Sequence, residues 1–357
     1  MRNSIGNVLK LTTFGESHGH SIGGVIDGIP AGIYIDLDKV QLQLNRRRPG
    51  QSDIVSSRNE SDKVEFLSGL NNNVTLGSPI GFIIKNLDQI SKDYDNLQNV
   101  FRPSHADFTY FKKYGIRDYK GGGRSSARET ACRVVAGSIA SQILEILGVN
   151  LFAYVCKIGS IRLDSHYSNL NLNNVYHSDV RCPDENISNQ MISEIKAVRK
   201  DGDSIGGEIF AVAKGVPSGL GEPVFDKLHA NIGKAMLSIN AVHSFKYGFF
   251  NKDISSSKGS DVNDVFLDAS GKTKTNFSGG IQGGISNGND IYFKLGFKPI
   301  STIMKKQNSI DSDGNKIDFM SKGRHDSCVV PRAVPIVESM LAIVLLDFYL
   351  LSKLNKL

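Results

Sequence analysis

Hydrophobic positions recur at two periods along this chain, and the periods separate helices from strands. Four-residue spacing puts Ala131, Val135, Ile139, Ile143 and Leu147 on one side of a long helix that follows Gly121, Gly122 and Gly123 and stops at Gly148. Ser125 or Ser126 is placed to cap it, and Glu129, three residues after Ser126, completes a capping-box spacing. A second apolar segment, 331–354, reads as a buried helix with Pro335 in its first turn, where a missing N–H is tolerated. Shorter amphipathic helices are expected over 36–44, 110–114, 186–200 and 228–238. Alternating or β-branched runs predict strands at 8–14, 25–29, 64–67, 80–84, 151–158, 207–214, 241–250 and 291–297.

Strands outnumber long helices, no βαβ period repeats, and no glycine-rich turn matches a dinucleotide fingerprint. The expected class is therefore α+β, with helices packed against antiparallel or mixed sheets. No linker-like break divides the composition, so residues 1–357 are read as one large domain. Two polar stretches, 51–63 and 251–276, read as mobile loops, and Gly279–Gly280 with Gly283–Gly284 bracket a hairpin. Gly123–Arg124 and Gly323–Arg324 each precede a buried helix, but their surroundings match too poorly to suggest duplication.

Composition narrows the class further. With 357 residues, 40% hydrophobic and 22% charged, the chain has the make-up of an ordinary globular protein. Its net charge of +6 is modest, but the arginines gather in turns and at helix starts while the lysines are spread evenly. Localised guanidinium forks favour a small polyanion over a diffuse nucleic-acid stripe. Few aromatics interleave the arginines, and no nucleic-acid recognition module is visible. Cys132, Cys156, Cys182 and Cys328 form no CxxC pair, so inert reduced thiols are expected and a structural zinc is not. No secretory signal opens the chain, and the apolar run 340–351 reads as too short to span a bilayer, so a cytoplasmic protein without membrane association is expected.

The chemistry candidates are histidines held in glycine- or proline-marked turns. His18 stands between Gly15–Glu16–Ser17 and Gly19, and titrates near neutrality as an acid or base must. A hydrolytic triad lacks its GxSxG elbow, and a metal reading would need His325 or Asp326 without any tight ligand spacing. His105 follows Arg102–Pro103, and His325 neighbours Asp326; each is either an acid/base group or a residue locking its own turn. His166, His177, His229 and His243 have no comparable context. Gly121–Arg128 converges backbone N–H, serine hydroxyl and guanidinium on one helix start, with Arg124 and Arg128 directed to it, which suits an anion. The missing GK[ST] ending excludes a P-loop. On residues alone, the reading is an enzyme handling a phosphorylated small molecule.

Six motifs then carry a resemblance across essentially the whole chain: TTFGESHG at 12–19, RRRPGQ at 46–51, FRPSHAD at 101–107, RDYKGGGRSSARET at 117–130, GDSIGG at 202–207 and KGRHDSC at 322–328. Together they resemble the chorismate synthase family. The resemblance implies 1,4-anti elimination of phosphate from 5-enolpyruvylshikimate 3-phosphate to give chorismate, with reduced FMN required although no net redox change occurs. It implies His18, His105 and Asp326 as catalytic residues, and Arg46, Arg47, Arg48, Arg102, Arg128 and Arg332 as substrate-binding. Flavin contacts carry over to Arg124, Ser125, Ser126, Asn240, Ala241 and Gly283. They continue through Lys298, Pro299, Ile300, Ser301 and Thr302 to Arg324. The resemblance also implies a β–α–β sandwich, a homotetramer, and an external flavin reductase as the source of FMNH2. Asp53 stands where many relatives carry a basic residue, which leaves a nicotinamide-nucleotide (NADP) contact without support. The rivals are an arginine-rich nucleic-acid module and a flavin oxidoreductase that consumes its reduced flavin.

Overall fold

The computed structural model describes residues 3–55, 60–87, 98–320 and 326–354. Two five-stranded sheets enclose a layer of helices. The first sheet runs in the order Ser4–Ile5, Lys10–Phe14, Ser21–Asp27, Ile80–Lys85, Val64–Phe66. The second runs Ile161–Arg162, Asn150–Ile158, Gly207–Lys214, Ile291–Phe297, Val242–Tyr247. Every pairing within them is antiparallel, so of the two expected arrangements the mixed one is absent from these sheets. Alternation explains the inward faces: Ile22, Ile26, Ile80, Phe82 and Ile84 of the first sheet are buried, as are Ala153, Val155, Ile209, Ala211, Phe293 and Leu295 of the second.

The helix Thr130–Ile146 packs on Lys10–Phe14 and Ser21–Asp27, and the helix Val330–Ser352 packs on Asn150–Ile158 and Gly207–Lys214. The two helices also pack extensively on each other, with Leu37–Arg47 and Leu228–Leu237 beside them. The result is the α+β sandwich, sheet on helices on sheet, with one buried cluster drawing on both sheets. Close approach of the two long helices depends on Gly137, where a Cβ would lie 2.2 Å from the Ser339 Cβ and 2.3 Å from its Cα.

Several local expectations are corrected. Two 3₁₀ turns, Gly123–Ser125 and Ala127–Glu129, precede the long helix, which begins only at Thr130. Ser126 accepts from the Arg128 N–H, but Glu129 closes no capping box; its carboxylate is paired with Arg133 one turn on. The last helix starts at Val330, one residue before Pro331, so Pro335 lies in its interior rather than its first turn. That helix is long and apolar enough to cross a membrane, longer than the run read from sequence, with 78% of its most apolar window buried in this fold. The charge within it has a partner: Asp347 accepts from the N–H groups of Asn7, Val8 and Leu9 at 2.8–3.1 Å. Segment 51–55 and 60–63 is no free loop, since Ile54, Val55, Glu60 and Asp62 are buried. Segment 251–276 carries a short helix, Gly259–Val262, and Asp264 ties it down by accepting from Phe277 N, Ser278 N and Thr275 Oγ1. Gly283–Gly284 form the two-residue turn between Ile281–Gln282 and Ile285–Ser286, both at positive φ (62° and 98°), as that hairpin turn demands.

All four cysteines are free and buried, and burial pushes Cys132, Cys156 and Cys328 up to about 12 and Cys182 up to about 11. Thiolate chemistry at neutral pH is thereby suppressed. The helix crossing gives a direct test of the sandwich interior. Gly137→Ala should destabilise the fold by about 3 kcal/mol, because the new methyl meets backbone that cannot yield cheaply, and urea unfolding would show it as a lowered midpoint.

Candidate active site

Loops from both halves of the chain meet around a cleft of 380 Å³. Ser17 enters from the turn after Lys10–Phe14, and Arg47 from the last turn of Leu37–Arg47. Arg102 and His105 come from the turn before Asp107–Tyr114, and Gly121 with Ser125–Arg128 from the glycine loop. Asn240, Ala241, Lys298 and Ile300–Thr302 form the opposite side, with Asp326 and Arg332 at the approach to the last helix. Five cationic side chains (Arg47, Arg102, Arg128, Lys298, Arg332) face two carboxylates, Glu60 and Asp326, so the cavity favours an anion.

The FRPSHAD turn is organised by Asp107. Arg102 donates to it through Nε at 2.7 Å and Nη2 at 2.9 Å, His105 Nδ1 stands 2.9 Å from Oδ1, and Arg117 Nη1 lies 2.8 Å away. Burial alone would raise this carboxyl. Hydrogen bonds from Arg102, with the charges of Arg102 and His105, outweigh that and hold it far below the carboxylate range. The ionised Asp107 stands against the Nδ1 side of His105 as an ion-pair partner, with no aligned hydrogen bond at that nitrogen among the described residues. Ser104, at φ 56°, makes the tight turn that sends Arg102 and His105 to the same carboxylate.

A second carboxylate, Asp62, does the same for the other arginines. It is buried, pairs with Arg128 Nη1, and lies 3.6 Å from Arg47 Nη2. Arg128 further donates from Nε to Asn86 Oδ1 (2.9 Å) and from Nη2 to the Lys85 carbonyl (3.2 Å). Arg47 donates to the Arg128 carbonyl, and Arg332 donates to the Arg47 carbonyl while its Nη1 pairs with Asp326. Burial lowers Arg47 to about 10, opposed by Asp62 and reinforced by the nearby Arg332 and Arg128 charges. Its buried Nε has no hydrogen-bond partner among the described residues.

The opposite wall differs in kind. Asn240 Nδ2 donates to the Ser125 carbonyl, leaving its buried Oδ1 without a partner among the described residues. Ala241 sits at φ 66°, and its carbonyl accepts from Lys298 N. Ser204 of the GDSIGG stretch holds the Ile300 carbonyl, which sets the 298–302 turn against the cleft.

The match to known proteins is unambiguous in extent. The chorismate synthase family model matches residues 9–350. The chain belongs to the chorismate synthase family. It is 60% identical to chorismate synthase of Christiangramia forsetii over 99% of both chains. It is 55% identical to that of Phocaeicola vulgatus over the full length of both. A crystal structure of a chorismate synthase superposes with a TM-score of 0.77 at 28% identity, over 96% of this chain and 92% of the other. The activity is that of a carbon–oxygen lyase, which converts 5-enolpyruvylshikimate 3-phosphate into chorismate and phosphate as the last shikimate-pathway step. Chorismate synthases use a reduced flavin for this.

The fold brings most of the family motifs to this one cleft, but not every side chain. His105, Asp326, Arg47, Arg102, Arg128 and Arg332 line it, as do Ser125, Ser126, Asn240, Ala241, Lys298, Ile300, Ser301 and Thr302. His18 stands just behind Gly121: a Cβ there would lie 2.0 Å from His18 Cε1, and His18 Nδ1 is 3.1 Å from Ser17 Oγ. Arg124 turns away to Thr13 Oγ1 and the Thr13 and Gly15 carbonyls, tying the glycine loop to the first sheet. Arg46 also turns away, because neighbouring helical residues diverge; its guanidinium stacks 3.7 Å over the Tyr176 ring and lines a separate cavity. Arg48, Pro299 and Gly283 do not line the cleft, Gly283 being in its hairpin turn. Arg324 and His325 lie outside the described residues.

Asp62, Asp107 and Asn86 were not singled out by sequence. Asp107 stood in a quoted motif, but nothing in its spacing announces a carboxylate that grips two arginines. Replacing it gives a measurable consequence. Asp107→Asn leaves Arg102 buried without its counter-charge and should cost about 3–5 kcal/mol at neutral pH. The folded carboxyl titrates below its unfolded value, so its contribution is complete above an unfolded pKa of about 3.9 and is lost as pH falls below that. Denaturant titrations of both proteins should therefore show the stability gap closing in acid.

Proposed function

We propose that this cleft is the catalytic site, with reduced FMN along the 240–241 and 298–302 wall and the phosphorylated substrate under the arginines. The observation that carries the reading is one cavity lined both by the arginines Arg47, Arg102, Arg128 and Arg332 and by Asn240, Ala241, Lys298 and Ile300–Thr302. Reduced flavin, when bound, supplies electron density that loosens the allylic C–O bond.

The chain's own residues do the rest. Arg47, Arg128 and Arg332 are held by buried carboxylates in fixed directions, so they stabilise negative charge on phosphate as it departs without reorganising. His105, paired at Nδ1 with Asp107, presents its other nitrogen toward Gly122 and the cleft for proton delivery to the leaving oxygen. His18, pressed against Gly121, serves the flavin side. Asp326, paired with Arg332 at the cleft mouth, is the carboxylate that receives the C6 proton. Arg102 supports binding from the cleft lining, and Arg46, Arg48 and Arg124 support it by holding the segments around the cleft. The whole chain acts as a single catalytic unit in a cytoplasmic homotetramer, with FMNH2 supplied by a separate reductase.

Anaerobic incubation of 5-enolpyruvylshikimate 3-phosphate with photoreduced FMN tests this. Phosphate should appear over many turnovers while the flavin spectrum returns to its reduced form. His18→Ala and His105→Ala should each lower the rate by about 10²–10⁴ while the proteins stay folded. Stoichiometric flavin oxidation, or release indifferent to both histidines, would overturn the assignment.

A further inference from the structure

One buried amide joins two parts of the cleft that no motif connects. Asn86 follows the strand Ile80–Lys85, and the pairing of Lys85 with Ser21 sets it beside the turn that carries His18. Its backbone N–H donates to the His20 carbonyl at 3.2 Å. Its side-chain Nδ2 donates to the carbonyls of Glu16 (3.1 Å) and Gly19 (2.8 Å), which flank His18. Its Oδ1 accepts from Arg128 Nε at 2.9 Å. Only this orientation of the amide satisfies both sides, since carbonyls need the NH₂ and the guanidinium needs the oxygen. The residue is 6% exposed, so solvent does not substitute for any of these partners.

We propose that Asn86 is a positioning residue for the elimination, fixing the His18 turn and the Arg128 guanidinium through one side chain. On the His18 side it holds the turn against Gly121, so the imidazole is clamped between loop and turn. On the Arg128 side the Nε bond sets the rotation of a planar fork whose Nη1 is already taken by Asp62 and whose Nη2 reaches the Lys85 carbonyl. Phosphate-facing and flavin-facing groups are thus indexed to each other. This rests on the roles given above to His18 and Arg128.

The two sides separate chemically. Asn86→Asp keeps an oxygen for Arg128 Nε but turns the second oxygen on the carbonyls of Glu16 and Gly19, releasing the His18 turn. Asn86→Ala releases both. With the full-length enzyme and saturating reduced FMN, Asn86→Asp should lower kcat by about 100-fold with KM for 5-enolpyruvylshikimate 3-phosphate unchanged. Asn86→Ala should add a rise of about tenfold in KM through the freed guanidinium. In a His18→Ala background Asn86→Asp should cost no further kcat, because the group being positioned is gone, and Asn86→Ala should cost only the part carried by the freed Arg128 guanidinium, less than it costs in the native enzyme. Running the cycle with Asn86→Ala as well keeps the test intact should the buried charge of Asn86→Asp unfold the chain. Additive kcat losses overturn the proposal, as do native kcat and KM accompanied only by a lower melting temperature. A native kcat in His18→Ala alone overturns the catalytic role of His18 and with it the kcat half, while the Arg128 half stands or falls on the KM of Asn86→Ala.

Discussion

Burying positive charge is the constraint on which this site depends. Arg47, Arg102 and Arg128 are almost fully withdrawn from water, and an uncompensated guanidinium there would cost several kcal/mol. Asp62 and Asp107 resolve the conflict: each pairs with two arginines, Asp62 with Arg47 and Arg128 and Asp107 with Arg102 and Arg117. The partnership is incomplete by design of charge number, since the lining remains cationic after its carboxylates are counted. An anionic substrate completes what the protein leaves short. Rigid, pre-paired guanidiniums are also what transition-state stabilisation needs, because solvent and side chains have already reorganised during folding.

The sandwich explains how residues so distant in sequence reach one place. The turn carrying His18 joins two strands of the first sheet, the 298–302 segment follows a strand of the second, and Arg102 and the glycine loop lie between the sheets' strands in sequence. The long helices contribute through their N-terminal approaches, at Ser125–Arg128 and Asp326–Arg332. Strands and helices hold the frame; loops hold the chemistry.

Much of this was legible in the letters. Period-two and period-four patterns located the strands at 150–158, 207–214 and 291–297 and the helices at 130–146 and 185–200 to within a residue or a turn. Clustering of arginines in turns pointed to a small anion, and motif resemblance supplied the flavin. What escaped has physical reasons. Side-chain direction at a helix end is decided by tertiary partners, so Arg46 and Arg47, adjacent in sequence, diverge to Tyr176 and to Asp62. Arg124 faced the same ambiguity and was taken by the Thr13 strand. A polar stretch such as 60–63 reads as solvent-facing by composition, because pairing of a buried aspartate with arginines dozens of residues away leaves no local periodic trace. Asn86 was silent for the same reason: its side-chain partners come from two segments far from it in the chain, the 16–19 turn and Arg128.

The bond between Asp347 and the backbone of Asn7, Val8 and Leu9 spans 338–340 positions of the chain. During synthesis the opening strands emerge hundreds of residues before that carboxylate exists, and the helix bearing it fills the space between the two sheets. Native structure therefore waits until the helix bearing Asp347 has been made. Until then the second sheet and the helix Thr130–Ile146 lack the helix that covers their inward faces, which makes the nascent chain a natural client for chaperones.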